Sequence, residues 1–87
     1  MLFAVDGEVM NITITYCVMW NYRPDASRVE EELKQSFPHA TVSLIDGSGG
    51  VFDVHVDERL LFSKKQEKIG RFPEPGELTK RLQKIQD

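Results

Sequence analysis

The chain has 87 residues, a formal net charge of −3 and one cysteine, which fits a single domain with a modest core. The negative balance argues against a general binder of nucleic acid or anionic membranes, because both need a basic face. No apolar run reaches the roughly 20 residues that span a bilayer, no basic segment resembles the start of a secretory signal, and a lone cysteine suits a reducing cytoplasm.

Two segments of unequal size are expected. Residues 1–9 form an N-terminal extension that is either frayed or a hairpin around Asp6–Gly7. Residues 10–87 form one domain, since no repeat, low-complexity tract or linker interrupts them.

The first predicted strand covers about residues 10–16. Ile12, Ile14 and Tyr16 fall on one face and alternate with threonines, a pattern typical of a half-buried strand. We expect a loop over residues 17–23 to follow it.

The first predicted helix begins near Pro24 and runs to about Phe37. Proline suits the first position of a helix and disfavours helical geometry in the residue before it. The apolar stripe of this helix consists of Ala26, Val29, Leu33 and Phe37. Pro38 ends the helix.

The second half of the chain predicts three strands and a closing helix. The strands cover residues 41–45, 51–56 and 59–63. A flexible turn joins the first two, and the polar residues 64–76 form a loop. The amphipathic stripe of the last helix consists of Leu78, Leu82 and Ile85.

The order β-α-β-β-β-α predicts an α/β fold of the thioredoxin-like kind, in two or three layers. The first two strands should be parallel, because a helix connects them in a right-handed crossover. Both helices should pack on a four-stranded mixed sheet. The expected core consists of Ile12, Ile14, Val29, Leu33, Phe37, Val42, Leu44, Phe52, Val54, Leu78 and Leu82.

Cys17 follows the first strand and precedes the first helix, which is where a Cys-x-x-Cys redox motif stands in thioredoxin-like domains. Trp20 occupies the position of the second cysteine. A dithiol enzyme resolves its mixed disulfide with that second thiol, whereas Cys17 would need an external thiol. Thiolate character is favoured by a helix N-terminus or a nearby cation. Pro24 moves the helix start away, and Arg23 could supply a cation.

The chain resembles the selenoprotein W, T and H group, also called the Rdx family. The resemblance rests on an ordered set of short segments over about residues 10–85: Tyr16-Cys17, Asp46-Gly47-Ser48-Gly49-Gly50-Val51-Phe52-Asp53-Val54, Val56-Asp57, Leu61-Phe62-Ser63-Lys64, Gly70-Arg71-Phe72-Pro73 and Glu77-Leu78. It implies a role in thiol redox homeostasis or sensing, with Cys17 as the candidate redox thiol and glutathione as a possible thiol partner. Members usually carry Gly-Gly-Phe-Pro where Arg71 interrupts the pattern here.

The alternative is a non-catalytic protein-binding module that has lost dithiol activity. Met19, Tyr22 and Phe72 are then the candidate partner surface, together with Trp20, because aromatic residues are enriched at interface hot spots. Trp20 could instead fold into the core and cap the sheet. We expect Cys17 in a loop and at least partly reachable by solvent. No metal site is expected, since His39 and His55 lack ligand spacing, and neither a cofactor nor an oligomeric state is indicated.

Overall fold

The structure is a computed structural model that describes residues 10–67 and 70–86. The expected extension over residues 1–9 lies outside the described residues. The elements are β1 (Asn11–Cys17), α1 (Arg23–Ser36), β2 (Thr41–Gly47), β3 (Phe52–Val56), β4 (Arg59–Ser63), a 3-10 turn (Lys64–Gln66) and α2 (Glu77–Gln86). The predicted order β-α-β-β-β-α is confirmed, and only the 3-10 turn was not anticipated.

The four described strands form one mixed sheet in the order β2-β1-β3-β4. β1 and β2 are parallel, with Ile12 opposite Val42, as the crossover connection through α1 predicts. β1 and β3 are antiparallel, and so are β3 and β4. The register between β3 and β4 slips after Val54, so that Leu61 is an additional residue on the last strand.

Both helices pack on the same face of the sheet, so the described elements form a two-layer α/β fold of the thioredoxin-like kind. The alternating side chains of β1 and β3 meet the helices there. Eight of the eleven predicted core residues are buried: Ile12, Ile14, Val29, Leu33, Phe52, Val54, Leu78 and Leu82. Phe37, Val42 and Leu44 are only partly buried and pack at the margin of the core. Phe62, which the sequence pattern did not single out, is 1% exposed.

Polar contacts hold the two helices together beside the core. Glu32 accepts hydrogen bonds from the backbone N–H of Gly76 at 3.1 Å and from the hydroxyl of Thr79 at 3.0 Å. Arg28, one helical turn before Glu32, donates to the carbonyl oxygen of Pro73 at 2.6 Å. The segment that leads into α2 is therefore fixed against α1, which determines where Pro73 and its neighbour Phe72 lie.

Candidate functional site

Cys17 is the last residue of β1 and is 0% exposed. The expectation that Cys17 lies in a loop and is partly accessible to solvent was therefore wrong. The reason is that β2 and the segment after it extend the pairing by one residue. Cys17 lies opposite Gly47, and its backbone N–H donates to the carbonyl of Val51 at 2.9 Å. The thiol is therefore enclosed by the surrounding protein.

The loop after Cys17 is a single helical turn that ends in a left-handed residue. The N–H of Tyr22 donates to the carbonyl of Cys17 at 3.2 Å, and the N–H of Asn21 donates to the carbonyl of Val18 at 3.0 Å. Asn21 has φ of 59°, a conformation that asparagine tolerates better than most residues. These are the two hydrogen bonds and the left-handed position of a Schellman motif. Cys17 and Trp20 are thus separated by one helical turn.

Cys17 belongs to the sheet face opposite the helices, because strand alternation places it with Thr13 and Thr15. The neighbouring Gly47 is tightly enclosed on that face. A Cβ added to Gly47 would lie 2.5 Å from a methyl carbon of Val51 and 2.9 Å from the methyl carbon of Thr15. Glycine at this position lets the two side chains close over the backbone next to the thiol.

Trp20 lies against Gly50. A Cβ on Gly50 would lie 2.5 Å from the indole ring of Trp20 and would displace that ring, and the backbone at Gly50 has φ of 77°, which favours glycine. Trp20 is still 62% exposed, and its neighbours Met19 and Val18 are 88% and 48% exposed. Trp20 therefore does not enter the core. It covers Gly50, which lies in the turn between Gly47 and Val51, the two residues that pair with Cys17.

A chain of edge-to-face aromatic contacts connects Trp20 to the core. The ring centroids of Trp20 and Tyr22 are 6.1 Å apart, those of Tyr22 and Phe72 are 4.7 Å apart, and those of Phe72 and Phe52 are 5.2 Å apart. Tyr22 and Phe72 are partly buried. The structure thus brings together three members of the predicted surface, whereas Met19 stands beside them and projects furthest into solvent.

A charged cluster fixes the backbone around Phe72. Arg71 donates to both carboxylate oxygens of Glu77, at 2.7 and 2.8 Å, and to Glu67 at 3.2 Å. Arg81 donates to Glu77 at 2.8 Å. The hydrogen bond from Arg71 is the main cause that lowers the pKa of Glu77 to about 2, and the same bond raises the pKa of Arg71. Because Arg71 directly precedes Phe72, these ion pairs fix the backbone from which the Phe72 ring packs on the core.

Arg23 does not approach the site as a free cation. It donates to the hydroxyl of Tyr16 at 3.2 Å, and that hydroxyl donates to Asp46 at 3.3 Å. Helix α1 begins at Arg23, six residues after Cys17. The N-terminus of α1 therefore starts six residues after the thiol, and the Arg23 guanidinium is bonded to Tyr16.

Two other features, a metal site and a membrane span, find no support in the described part of the chain. Residues 10–67 and 70–86 contain no group of three or more His, Cys, Asp or Glu side chains placed to hold a metal ion. Within the same ranges, no helix is long and apolar enough to cross a membrane.

Sequence reasoning missed three features of this site. Two are the contact of Trp20 with Gly50 and the charged cluster on Arg71, both of which join residues far apart in the chain. The third is the turn at Asn21, for which asparagine before an aromatic residue was the available signal.

Comparison with known proteins agrees with this geometry. The model of the Rdx family matches residues 11–84, which covers every described element from β1 to most of α2. The chain belongs to the Rdx family. Selenoprotein W from Gallus gallus is 36% identical over 59 residues, which are 64% of this chain and 69% of the relative.

Two solved structures share the fold. A selenoprotein W-related protein from Vibrio cholerae superimposes with a TM-score of 0.81 at 28% identity, covering 90% of this chain and 98% of its own. A protein from Bordetella parapertussis gives a TM-score of 0.79 at 29% identity, covering 87% of this chain and 96% of its own. The chain is thus a selenoprotein W-like member of the family.

Proposed function

We propose that this selenoprotein W-like protein acts in thiol redox homeostasis or sensing by exchanging disulfides at the single thiol of Cys17. The observation that carries the proposal is the position of Cys17. It ends the first strand of a family domain and opens a helical turn, where the family resemblance puts the first residue of the redox motif. Glutathione is the small thiol partner that we propose for it, and no bound cofactor is needed.

The reaction that we propose is one exchange step. The Cys17 thiolate attacks one sulfur of a disulfide, the disulfide bond breaks, and the other half leaves as a thiolate that takes up a proton. A mixed disulfide remains on Cys17. Since Trp20 replaces the second thiol, release requires an external thiol that attacks the mixed disulfide in the same way. The protein would then be a reversible single-thiol sensor and not a dithiol reductase.

The burial of Cys17 adds a condition to this proposal. A thiol that is 0% exposed reacts only when its surroundings open, so exchange would depend on the turn over residues 17–22 and on the contact of Trp20 with Gly50. Opening of a surface loop costs less than global unfolding. We expect slow exchange in the native protein, at a rate that follows loop opening.

The stoichiometry of thiol release tests the proposal. Incubation with excess 2-hydroxyethyl disulfide should release one equivalent of small thiol from the wild type and none from Cys17→Ser. The wild type should return to the free thiol only after an external thiol is added, because the chain has no second cysteine to resolve the mixed disulfide. An absence of release from native protein, under conditions in which the urea-unfolded chain releases one equivalent, would contradict the redox function itself.

The exposed loop supports a second candidate function, a protein-binding module. Val18, Met19 and Trp20 are consecutive and all exposed, and exposed aromatic and methionine side chains are enriched at interfaces. A photoreactive crosslinker at position 19 tests it. A crosslinked partner that is lost in Trp20→Ser and retained in Cys17→Ser would favour the binding module over thiol exchange. Loss in both variants would tie the partner to the thiol.

A further inference from the structure

Asp53 carries a buried carboxylate oxygen without a hydrogen-bond partner. No donor within the described ranges 10–67 and 70–86 bonds to its Oδ1 atom, which is closed to solvent. Buried polar atoms are nearly always hydrogen-bonded, so an exception in a folded protein calls for a reason. The other unsatisfied buried side-chain atom in those ranges is Nη1 of Arg28, which is a donor. Asp53 thus supplies the one free buried side-chain acceptor in the described part of the chain.

The strand register places Asp53 on the same face of the sheet as Cys17. Asp53 stands between Phe52 and Val54, which are both buried in the core, so its own side chain projects from the opposite face. It lies opposite Thr15 on β1, and Cys17 is the next residue of β1 on that face. Diagonal neighbours of this kind lie about 7–8 Å apart and closer at their Cβ atoms. The carboxylate and the thiol are therefore within reach of each other, directly or through one water molecule.

No other titratable acceptor among the described residues of this face lies as near to Cys17. His55 is the next titratable residue of β3 on this side, but it pairs with Thr13, about 7 Å further along the sheet. Asp57 and Glu58 lie beyond it, after the end of β3. The residues that β2 and β4 contribute to this face carry no charge: Thr41, Ser43, Ile45, Gly47, Leu60 and Ser63.

The positive groups around the thiol leave a role for a base. The Arg23 guanidinium bonds to Tyr16, whose side chain belongs to the core on the helix side of the sheet. The Lys65 ammonium lies 3.9 Å from the position of a Cβ on Gly49, at the glycine turn. A nucleophilic side chain that no cation activates is commonly activated by an adjacent general base.

We infer that Asp53 is the proton acceptor for the Cys17 thiol in the disulfide exchange proposed above, on which this inference rests. As Sγ of Cys17 attacks one sulfur of a disulfide, its proton moves to Oδ1 of Asp53. The S–S bond of the substrate breaks, its departing half leaves as a thiolate, and Asp53 returns the proton to that thiolate. The disulfide is reduced and Cys17 is oxidised to the mixed disulfide. This face of the sheet then carries one negative charge throughout, which avoids the repulsion between an ionised thiol and an ionised carboxylate.

The test is the pH profile of Cys17 modification by 2-hydroxyethyl disulfide between pH 6 and 9, measured by intact mass. This reagent is neutral, and each rate is divided by the rate of the urea-unfolded chain at the same pH. A free thiol loses its thiolate about tenfold per pH unit below its pKa of roughly 8.5, whereas a carboxylate base continues to accept protons. The normalised rate of the native wild type should therefore rise by about tenfold or more from pH 8 to pH 6.

Asp53→Asn should abolish this rise. A free thiol is already a few per cent ionised at pH 7, so a local base adds a factor of about 30 at most. We expect the rate of the variant to be about tenfold below wild type at pH 7 and to approach it at pH 9, where the thiol ionises unaided. Asp53→Glu keeps the carboxylate and should retain most of the rise.

Two further variants serve as controls. Asp57→Asn removes the same charge four residues further along the chain, at a position whose φ of 55° asparagine tolerates. Histidine side chains take up a proton near neutral pH, so His55→Gln tests the other titratable residue of β3 on this face. Both variants should keep the wild-type profile.

The outcomes separate a proton acceptor from a structural role. If Asp53 only stabilised the fold, Asp53→Asn would open the site more often and react faster at every pH. A rate in Asp53→Asn equal to or above wild type at pH 7, or loss of the rise in His55→Gln, would overturn the inference and leave exchange at Cys17 intact. A flat normalised profile in the wild type would overturn it without any variant, even if Asp53→Asn failed to fold. Failure of the native wild type to react, when the unfolded chain reacts, would overturn the proposed function as well.

Discussion

Removal of the Trp20 side chain should expose Cys17 to small reagents. In Trp20→Ala, the glycine turn at Gly50 loses the ring that covers it, so the closed state of the loop is destabilised relative to the open one. The variant should therefore be alkylated by iodoacetamide faster than the wild type, in buffer where both remain folded.

The size of the effect follows from the buried part of the ring. Trp20 is 62% exposed, so roughly 40% of a surface of about 250 Å² is covered, which is about 100 Å². At about 25 cal/mol per Å², this burial stabilises the closed loop by at most about 2.5 kcal/mol. Since about 1.4 kcal/mol corresponds to a factor of ten, we expect an acceleration of about 10- to 60-fold.

The assay is the pseudo-first-order rate of Cys17 alkylation, measured by intact mass under native conditions. Met19→Ala is the matched control, because Met19 lies in the same turn but is 88% exposed and should leave the rate within about twofold of wild type. Urea unfolding monitored by circular dichroism shows whether global stability has changed. An unchanged rate in Trp20→Ala, or equal acceleration in both variants, would refute the prediction that packing of Trp20 on Gly50 limits access to the thiol.

Three further predictions concern the core, the charged cluster and the missing second thiol. Leu33→Ala should lower the free energy of unfolding by about 2–5 kcal/mol in urea titration, because Leu33 is 0% exposed; a loss below about 1 kcal/mol would contradict the packing of α1. Glu77 has a pKa lowered from 4.5 to about 2, mainly by Arg71, so its contribution to stability is present above pH 4.5 and is lost as pH falls towards 2; Glu77→Gln should flatten that part of the pH–stability curve. Trp20→Cys should create a dithiol that closes an intramolecular disulfide with Cys17, since residues one helical turn apart lie within bridging range; a folded variant that never forms the bond would show that the two side chains diverge too far.

The fold was largely predictable because its signals are local. The alternation around Ile12 and Ile14 and the helical spacing of Val29 and Leu33 each specify an element, and the helix between the first two strands specifies their parallel pairing. The exceptions lie at the margin of the sheet. Leu44 sits on an edge strand, β2, so fewer neighbours cover it than the alternation suggested.

The site was less predictable because it depends on contacts between distant segments. The position of Cys17 near the end of the first strand was predictable from the sequence. Its inclusion in β1 and its burial were not, since they depend on pairing with Val51 and Gly47. The exposure of Trp20 is set by the turn at Asn21 and by the glycine that receives the ring. No periodic pattern in the sequence predicts the pairing of Cys17 with Gly47 and Val51 or the packing of Trp20 on Gly50.

The cluster around Arg71 shows the same limitation. Arginine at that position reads only as a departure from Gly-Gly-Phe-Pro, whereas in the structure it pairs with Glu77 across six residues and lies with its guanidinium carbon 5.8 Å from the ring centroid of Phe62. The role of Arg71 depends on the position of α2, which carries Glu77. The sequence alone does not show that position.

The decisive measurement for single-thiol exchange is the intact mass of native protein before and after oxidised glutathione, and again after reduced glutathione. The wild type should gain one glutathionyl group, slowly because Cys17 is buried, and should return to its original mass when the external thiol resolves the mixed disulfide. Cys17→Ser should keep its mass throughout. A native wild-type mass that never changes, while the urea-unfolded chain is modified, would contradict a redox role for Cys17.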